Sequence, residues 1–131
     1  MVKRILIMKN LKPFVIYSDK ILDKLSWFFK IGGIALFPVI ILRERYQQKR
    51  YLAKAEKTIN HETIHFQQAL ELLVIPFYII YVLEYIFKAI RYLDIQKAYY
   101  NISFEREAYA NESNLKYLID RKRYNWIKLI F

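Results

Sequence analysis

The first half of the chain alternates short apolar runs with polar breaks. Residues 3–8 and 13–17 are β-prone segments bounded by Lys, Asn and Pro, which is typical of short strands. Ser18 and Asp19 then form an N-cap pattern for a helix that is expected to reach about residue 30. Two glycines end that helix. Residues 34–42 are rich in β-branched side chains around a central proline, which favours an edge strand or an extended segment.

The second half follows a helical period. Residues 43–57 are polar and predict either an exposed helix or a solvated connection, and helical periodicity then runs over residues 58–76. Because proline kinks or ends a helix, a second helix over residues 77–92 is expected to follow at an angle. After a polar break, a last long helix is predicted over residues 103–118. The apolar end of the chain predicts a tail that docks back onto the body.

These elements predict an α+β fold that is predominantly α. We expect one domain over residues 1–131, with a basic part at 1–57 that holds the short strands and a helical part at 58–131. A length of 131 residues suits one domain, and neither an internal repeat nor a linker divides it.

Two apolar stretches are candidates for membrane-spanning segments. Residues 31–42 and 72–83 each run about 12 residues without a charge, whereas a spanning helix needs about 20. Basic residues also lie on both sides of each stretch, so the charges indicate no orientation. A core or interfacial helix is therefore favoured over a span. The N-terminus lacks the long apolar run of a signal peptide, so the expected location is the cytoplasm, with peripheral contact to the inner membrane surface.

Charge and composition exclude several classes of function. The chain has no cysteine, so disulfides, cysteine zinc fingers and thiol nucleophiles are excluded. Its formal charge of +10 is concentrated in residues 1–60, which hold 13 Lys and Arg against 4 Asp and Glu. Such a balance suits anionic lipid, acidic protein or nucleic acid. No sequence signature of nucleic-acid recognition accompanies it, so specific nucleic-acid binding by residues 43–57 rests on charge alone.

The two histidines of the chain form the pattern H-E-x-x-H. His61 and His65 stand four residues apart, with Glu62 directly after the first histidine. On a helix, side chains at this spacing project from the same face, so both imidazoles can bind one Zn²⁺. Glu62 can then hold the water that the metal activates. The pattern predicts a catalytic zinc site.

A catalytic zinc usually takes a third protein ligand and leaves one position for water. Glu71 is excluded, because in a continuous helix it points about 120° away from His65 and lies about 9 Å along the axis. Glu84 is isolated in an apolar helix and is a weaker candidate. Glu105 is the better one, since it opens the last predicted helix and shares a face with Tyr109 and Glu112.

The blocks NHETIH and FEREAYA, separated by about forty residues, resemble the gluzincin zinc metallopeptidases. The resemblance implies a minimal zinc core of packed helices, with His61, His65 and Glu105 as zinc ligands and Glu62 as general base. In the prenyl-protein peptidase branch of these enzymes, an Asp often follows the Ala of the second block. This chain has Tyr109 at that position. The supporting role of that Asp then falls to Glu112 or another group.

Residues 33–117 are also similar to a small bacterial family that shares the blocks NHE-x-I-H, ELL-x-x-PFY and SFEREAYANE, and this similarity implies no substrate. The function implied by the gluzincin resemblance is hydrolysis of peptide bonds in a peptide or protein substrate, with Glu62 and Tyr109 as the candidate catalytic residues. By analogy, residues 34–42 supply an edge strand for the substrate. Tyr109 and Arg106, which lie near Glu105 in the sequence, are the candidates for stabilising an oxyanion, and the sequence places neither of them. The alternative is a non-catalytic zinc protein associated with a membrane. The sequence indicates neither the substrate nor the oligomeric state.

Overall fold

The sheet is built from the short β-prone segments of the first half. The computed structural model describes residues 13–26 and 31–131, and within them β1 (Phe14–Tyr17), β2 (Gly33–Leu36) and β3 (Val39–Leu42) form a three-stranded sheet in the order β1–β3–β2. β1 pairs with β3 in parallel, and β2 pairs with β3 antiparallel. The strand predicted at 13–17 is confirmed, and the one predicted at 3–8 lies outside the described residues.

The segment over residues 34–42 forms two strands, so the prediction of a single edge strand is wrong. The chain turns at a cis Phe37–Pro38 peptide, and this turn places Pro38 where its missing N–H costs no ladder bond. β2 is an edge of the described sheet, whereas β3 is its centre. The central position buries Ile40 and Leu42 completely.

Helix α1 (Asp19–Leu25) begins at the predicted cap. The Ser18 Oγ accepts a hydrogen bond from the Ile21 N–H at 3.3 Å. The helix ends earlier than predicted, because the backbone leaves the helical conformation at Ser26, whose hydroxyl donates to the Leu22 carbonyl at 2.6 Å. Residues 27–30, the rest of the predicted helix, lie outside the described residues.

The polar segment over residues 43–57 is neither one helix nor an open connection. It forms the 3₁₀ turns Glu44–Gln47 and Lys49–Tyr51 and then the first turns of α2 (Leu52–Glu71). α2 ends at Glu71, before the predicted position at Pro76. The backbone leaves the helical conformation there, because Val74 has a positive φ of 65° and its N–H donates back to the Ala69 carbonyl at 2.6 Å.

Helix α3 (Ile75–Tyr92) follows at the expected angle. Its axis is bent by 111° from the preceding helix, and Pro76 lies in its first turn, where proline needs no N–H partner. Across the described residues, no single helix has both the length and the apolar character to cross a bilayer. The pair Lys49–Glu71 and Ile75–Tyr92 meets those two criteria only when its bent arms are taken together.

The last part of the chain forms three short helices, and the prediction of one long helix over 103–118 is wrong, because that stretch holds two of them with a break between. They are α4 (Ile95–Asn101), α5 (Ser103–Asn111) and α6 (Tyr117–Asp120). α4 begins at Asp94, whose carboxylate caps the N–H groups of Gln96 and Lys97 at 3.0 Å each. α5 stops at Asn111 because the Asn60 amide of α2 donates to carbonyls at its end, among them that of Glu112 at 2.8 Å.

The predicted docking of the tail is confirmed. Residues Asn125–Leu129 form a 3₁₀ turn whose Trp126 is only 6% exposed. Trp126 packs with Ala69 of α2, Phe77 of α3 and Phe104 of α5 in one of the described apolar cores. The tail therefore holds the three helices together. The fold is α+β and predominantly α, as the sequence predicts.

Candidate metal centre

Helix α2 places the two histidines on one face, as their spacing predicts. The Nε2 atoms of His61 and His65 lie 3.1 Å apart, and both side chains are buried. The spacing follows from helix geometry alone, because residues four apart are neighbours on the helix surface.

Helix α5 brings Glu105 to both imidazoles. Glu105 Oε2 lies 3.1 Å from His61 Nε2, and Oε1 lies 3.2 Å from His65 Nε2. The three offered ligand atoms all lie within 4.8 Å of one another, and all three residues are buried. We refer to His61, His65 and Glu105 as the metal cluster, because this group can hold a metal ion.

A second layer of contacts orients the two rings. The Nδ1 of His61 lies 2.8 Å from Glu112 Oε2, and the Nδ1 of His65 lies 2.8 Å from Gln68 Oε1. The Gln68 amide nitrogen donates to the Phe104 carbonyl at 3.1 Å and to Glu107, so its oxygen is free to accept. A carboxylate and an amide oxygen only accept, and therefore both Nδ1 atoms carry the hydrogen.

When both imidazoles are neutral, as a metal ion requires, two nitrogen lone pairs and a carboxylate converge on one point. Separations of 3.1–3.2 Å between these atoms are close to the ligand–ligand distance of about 3.3 Å that a tetrahedral zinc with bonds of about 2.0–2.1 Å requires. Three acceptors this close repel one another unless a cation joins them. The donor set thus fits a metal ion.

The electrostatics of the metal cluster favour positive charge at this point. Although burial disfavours the imidazolium, hydrogen bonds to Glu105 and Glu112 raise the pKa of His61 to about 10. Burial also opposes ionisation of Glu105, yet the charge of His65 and the hydrogen bond to His61 hold the pKa of that carboxyl far below its usual range. The negative Glu105 therefore attracts positive charge to this point.

Tyr81 of α3 is a contact that sequence reasoning missed. Its hydroxyl donates to Glu105 Oε1 at 2.6 Å, and burial together with the Glu105 charge keeps the pKa of Tyr81 well above its usual value. The hydrogen bond ties the carboxylate to α3. No spacing in the sequence indicates it, because Tyr81 lies on a different helix from Glu105 and no local pattern relates the two.

The two other glutamates considered as third ligands lie elsewhere. Glu71 binds Arg121 in a buried ion pair, so its exclusion is confirmed, although α2 ends there rather than running on. Glu84 accepts from the backbone N–H of Ser103 at 2.8 Å and from its hydroxyl at 2.7 Å. Since Ser103 begins α5, Glu84 anchors the helix that carries Glu105 and does not offer its oxygens to the metal cluster.

Glu62 faces two cavities beside the metal cluster. The cavities have volumes of about 300 Å³ and 290 Å³, and Glu62 lines both. Burial raises the pKa of Glu62, while the charges of His61 and His65 and a backbone hydrogen bond from Ala35 of β2 act in the opposite direction. The first cavity reaches His65 and Glu105, and the second reaches His61 and Glu112.

The edge strand β2 forms one wall of the first cavity. Gly33 allows its close approach, because a Cβ there would lie 2.6 Å from Leu42 Cδ2 and 3.2 Å from Thr58 Cγ2 of α2. Part of the outer edge is occupied: the Tyr78 hydroxyl accepts from the Phe37 N–H at 2.9 Å and donates to the Ala35 carbonyl at 3.2 Å. Aromatic side chains of α3 form another wall of the first cavity, which is lined by Phe77, Tyr78, Tyr81 and Tyr85.

Tyr109 and Arg106, the two candidates for stabilising an oxyanion, lie in different parts of the structure. The Tyr109 ring packs edge-on against His61, with centroids 4.5 Å apart, and lines the second cavity. Burial raises the pKa of Tyr109. Arg106 instead donates to the carbonyl of Leu129 in the tail at 2.6 Å. Tyr109 therefore stays a candidate catalytic residue, and Arg106 anchors the tail.

Comparison of the chain with protein-family models, curated proteins and solved structures finds no match.

Proposed function

We propose that the chain is a zinc-dependent metallopeptidase of the gluzincin type. In this proposal His61, His65 and Glu105 bind zinc, and Glu62 is the general base. The observation that carries it is the convergence of the three side chains at 3.1–3.2 Å, next to a buried carboxylate that lines two cavities.

The donor set favours zinc over magnesium and calcium. Two imidazoles with one carboxylate are typical of catalytic zinc, whereas magnesium and calcium prefer oxygen ligands throughout. The hydrogen bond between the Nδ1 of His61 and Glu112 is the carboxylate–histidine contact that commonly supports a zinc ligand. A structural site would have no need of a carboxylate such as Glu62 beside the ligands.

Zinc, when bound, lowers the pKa of water to about 7 and polarises a substrate carbonyl. The Glu62 carboxylate takes the proton of the attacking water and passes it to the leaving amine. The Tyr109 hydroxyl, at the wall of the second cavity, is the proposed donor to the oxyanion. An extended peptide lies along the part of the outer edge of β2 that Tyr78 does not occupy, beside the cavity that reaches Glu105.

The alternative is a non-catalytic zinc protein that works at the cytoplasmic surface of a membrane. Exposed aliphatic side chains on α3, among them Ile79 at 55% and Ile90 at 70%, favour the membrane part of this alternative. The two functions differ in what they require of Glu62. A peptidase needs its carboxylate, and a zinc protein without activity does not.

Zinc content is the first test. We expect about one zinc per chain in the purified protein and a loss of it in Glu105→Ala, since a catalytic site needs its third ligand. Glu56→Ala, which removes an exposed acid from the same helix as the histidines, is the matched control and keeps its zinc. A protein purified with zinc available that contains none would rule out the proposal.

Glu62→Gln separates the two functions. The substitution preserves the shape of the side chain and leaves the three ligands in place, so zinc should be retained. Hydrolysis of a mixed peptide library, read by mass spectrometry, should fall about 10²–10⁴-fold, the usual contribution of a general base. A zinc-loaded wild type that cleaves no peptide of the library favours the non-catalytic alternative.

A further inference from the structure

Helix α3 carries an apolar stripe that no described part of the chain covers. We define the α3 stripe as Ile75, Ile79, Leu83, Ile86, Phe87 and Ile90, whose side chains are between 48% and 70% exposed. These positions span about 120° of the helix circumference and about 22 Å of its length. Single exposed apolar residues are ordinary, but a continuous stripe of this size marks an interaction surface.

Two of the three charged residues within α3, Glu84 and Lys88, are turned away from the stripe. Lys88 is only 6% exposed and pairs with Glu84 at 2.7 Å. The same ammonium group donates to the Asn101 carbonyl at the end of α4, and Glu84 holds the first turn of α5. Because both charges are used inside the molecule, the stripe contains no charge along its length.

Two basic side chains, those of Arg91 and Lys97, and one acidic side chain, that of Asp94, are exposed just beyond the C-terminal end of the stripe. Arg91 and Lys97 both lie over the ring of Tyr92, with distances to the ring centroid of 6.0 Å and 4.7 Å. Leu93, directly after the helix, is 89% exposed. Basic and tyrosine side chains beside exposed aliphatic ones are the combination found where a protein meets lipid headgroups.

We propose that the α3 stripe docks on the surface of an anionic lipid bilayer, with the helix lying in the plane of the interface. The bilayer accepts the apolar side chains, and its headgroups attract Arg91 and Lys97. A second copy of the chain suits the stripe less well, because the chain as a whole has a formal charge of +10, most of it in residues 1–60, and therefore repels a second copy and attracts anionic lipid. The proposal does not depend on the metal cluster.

The stripe also adjoins the first cavity. Val82, at one edge of the stripe, is 51% exposed and lines that cavity together with His65 and Glu105. Leu36 of β2, another lining residue, is 38% exposed. Docking through α3 therefore places this side of the cavity next to the lipid surface.

Flotation with vesicles tests the proposal. Wild type should float with vesicles of equal parts phosphatidylcholine and phosphatidylglycerol, and less with phosphatidylcholine alone. The double variant Ile79→Glu, Ile86→Glu should partition at least about tenfold less, because it places two charges in the apolar face. Leu115→Glu, Ile119→Glu, which alters two exposed aliphatic residues outside α3, is the matched control and should float like wild type.

Failure to float in the wild type, or equal flotation of the α3 variant, would overturn the proposal. Equal binding to both kinds of vesicle would overturn the assignment to an anionic surface. Size-exclusion chromatography with light scattering tests the alternative that a second copy of the chain covers the α3 stripe. A wild-type dimer that the α3 variant converts to a monomer, without vesicle binding, would assign the stripe to a second copy. Thermal unfolding of each variant confirms that it is folded.

Discussion

Two of the buried charged clusters in the described structure lie between α2 and α5, and they differ in the source of their cation. In the metal cluster, both ion pairs of Glu105 are with histidine rings. In the arginine cluster, which we define as Glu71, Glu107 and Arg121, a guanidinium supplied by the chain lies between two carboxylates. The same pair of helices thus contributes acids to a site that contains its own cation and to one that can bind a metal cation.

Gln68 joins the two clusters. Its amide nitrogen donates to Glu107 at 2.9 Å, and its oxygen accepts from His65 at 2.8 Å. The pKa of Glu107 is lowered because Arg121, Gln68 and Tyr117 stabilise its charge against burial. Glu107 is paired with a guanidinium of the chain, so its charge contributes to holding the helices together. Glu105 faces two imidazoles, so its oxygens can also bind a metal ion.

The largest expected effect comes from breaking the arginine cluster. Arg121→Met leaves two buried carboxylates without their cation, so the free energy of unfolding should fall by about 3–5 kcal/mol. Urea denaturation measures it, with Lys122→Met as an exposed neighbour that should change stability by less than about 0.5 kcal/mol. Saturating zinc should still raise the stability of Arg121→Met. Equal stability of both variants would show that the arginine cluster does not hold the helices together.

An intermediate effect is expected at the metal cluster from Glu112→Gln. The substitution weakens the hydrogen bond that orients His61, and zinc affinity should fall about 10–100-fold. Competition with a chromophoric chelator measures the affinity, and Glu56→Gln serves as the matched control. Unchanged zinc affinity in Glu112→Gln would contradict the orienting role of that carboxylate.

The smallest effect is expected from Tyr81→Phe. Glu105 loses one hydrogen bond and keeps both histidines, so stability should fall by about 0.5–1.5 kcal/mol. Zinc affinity should fall by less than about tenfold, a smaller change than for Glu112→Gln. Tyr85→Phe, one turn further along α3, controls for removal of a tyrosine hydroxyl from the same cavity wall. A larger effect in Tyr85→Phe would contradict the role given to Tyr81.

Local elements of the fold could be predicted because their signals are local. β1, the cap at Ser18, the bend near Pro76 and the docking tail each depend on side chains within a few residues or on a plain apolar pattern. The end of α5 could not be predicted, because it is set by the amide of Asn60, which lies about fifty residues earlier in the chain. The hairpin at Pro38 could not be predicted either, because it is defined by the antiparallel pairing of β2 with β3.

The sequence by itself determined the facing imidazoles, since four residues of helix bring His61 and His65 onto one side whatever surrounds them. It also made Glu105 the better third candidate. Tertiary structure alone decided that Glu105 meets both rings, that Gln68 and Glu112 set their protons, and that Tyr81 holds the carboxylate. These contacts join α2, α3 and α5, and their distances depend on how whole helices pack, which no local spacing encodes.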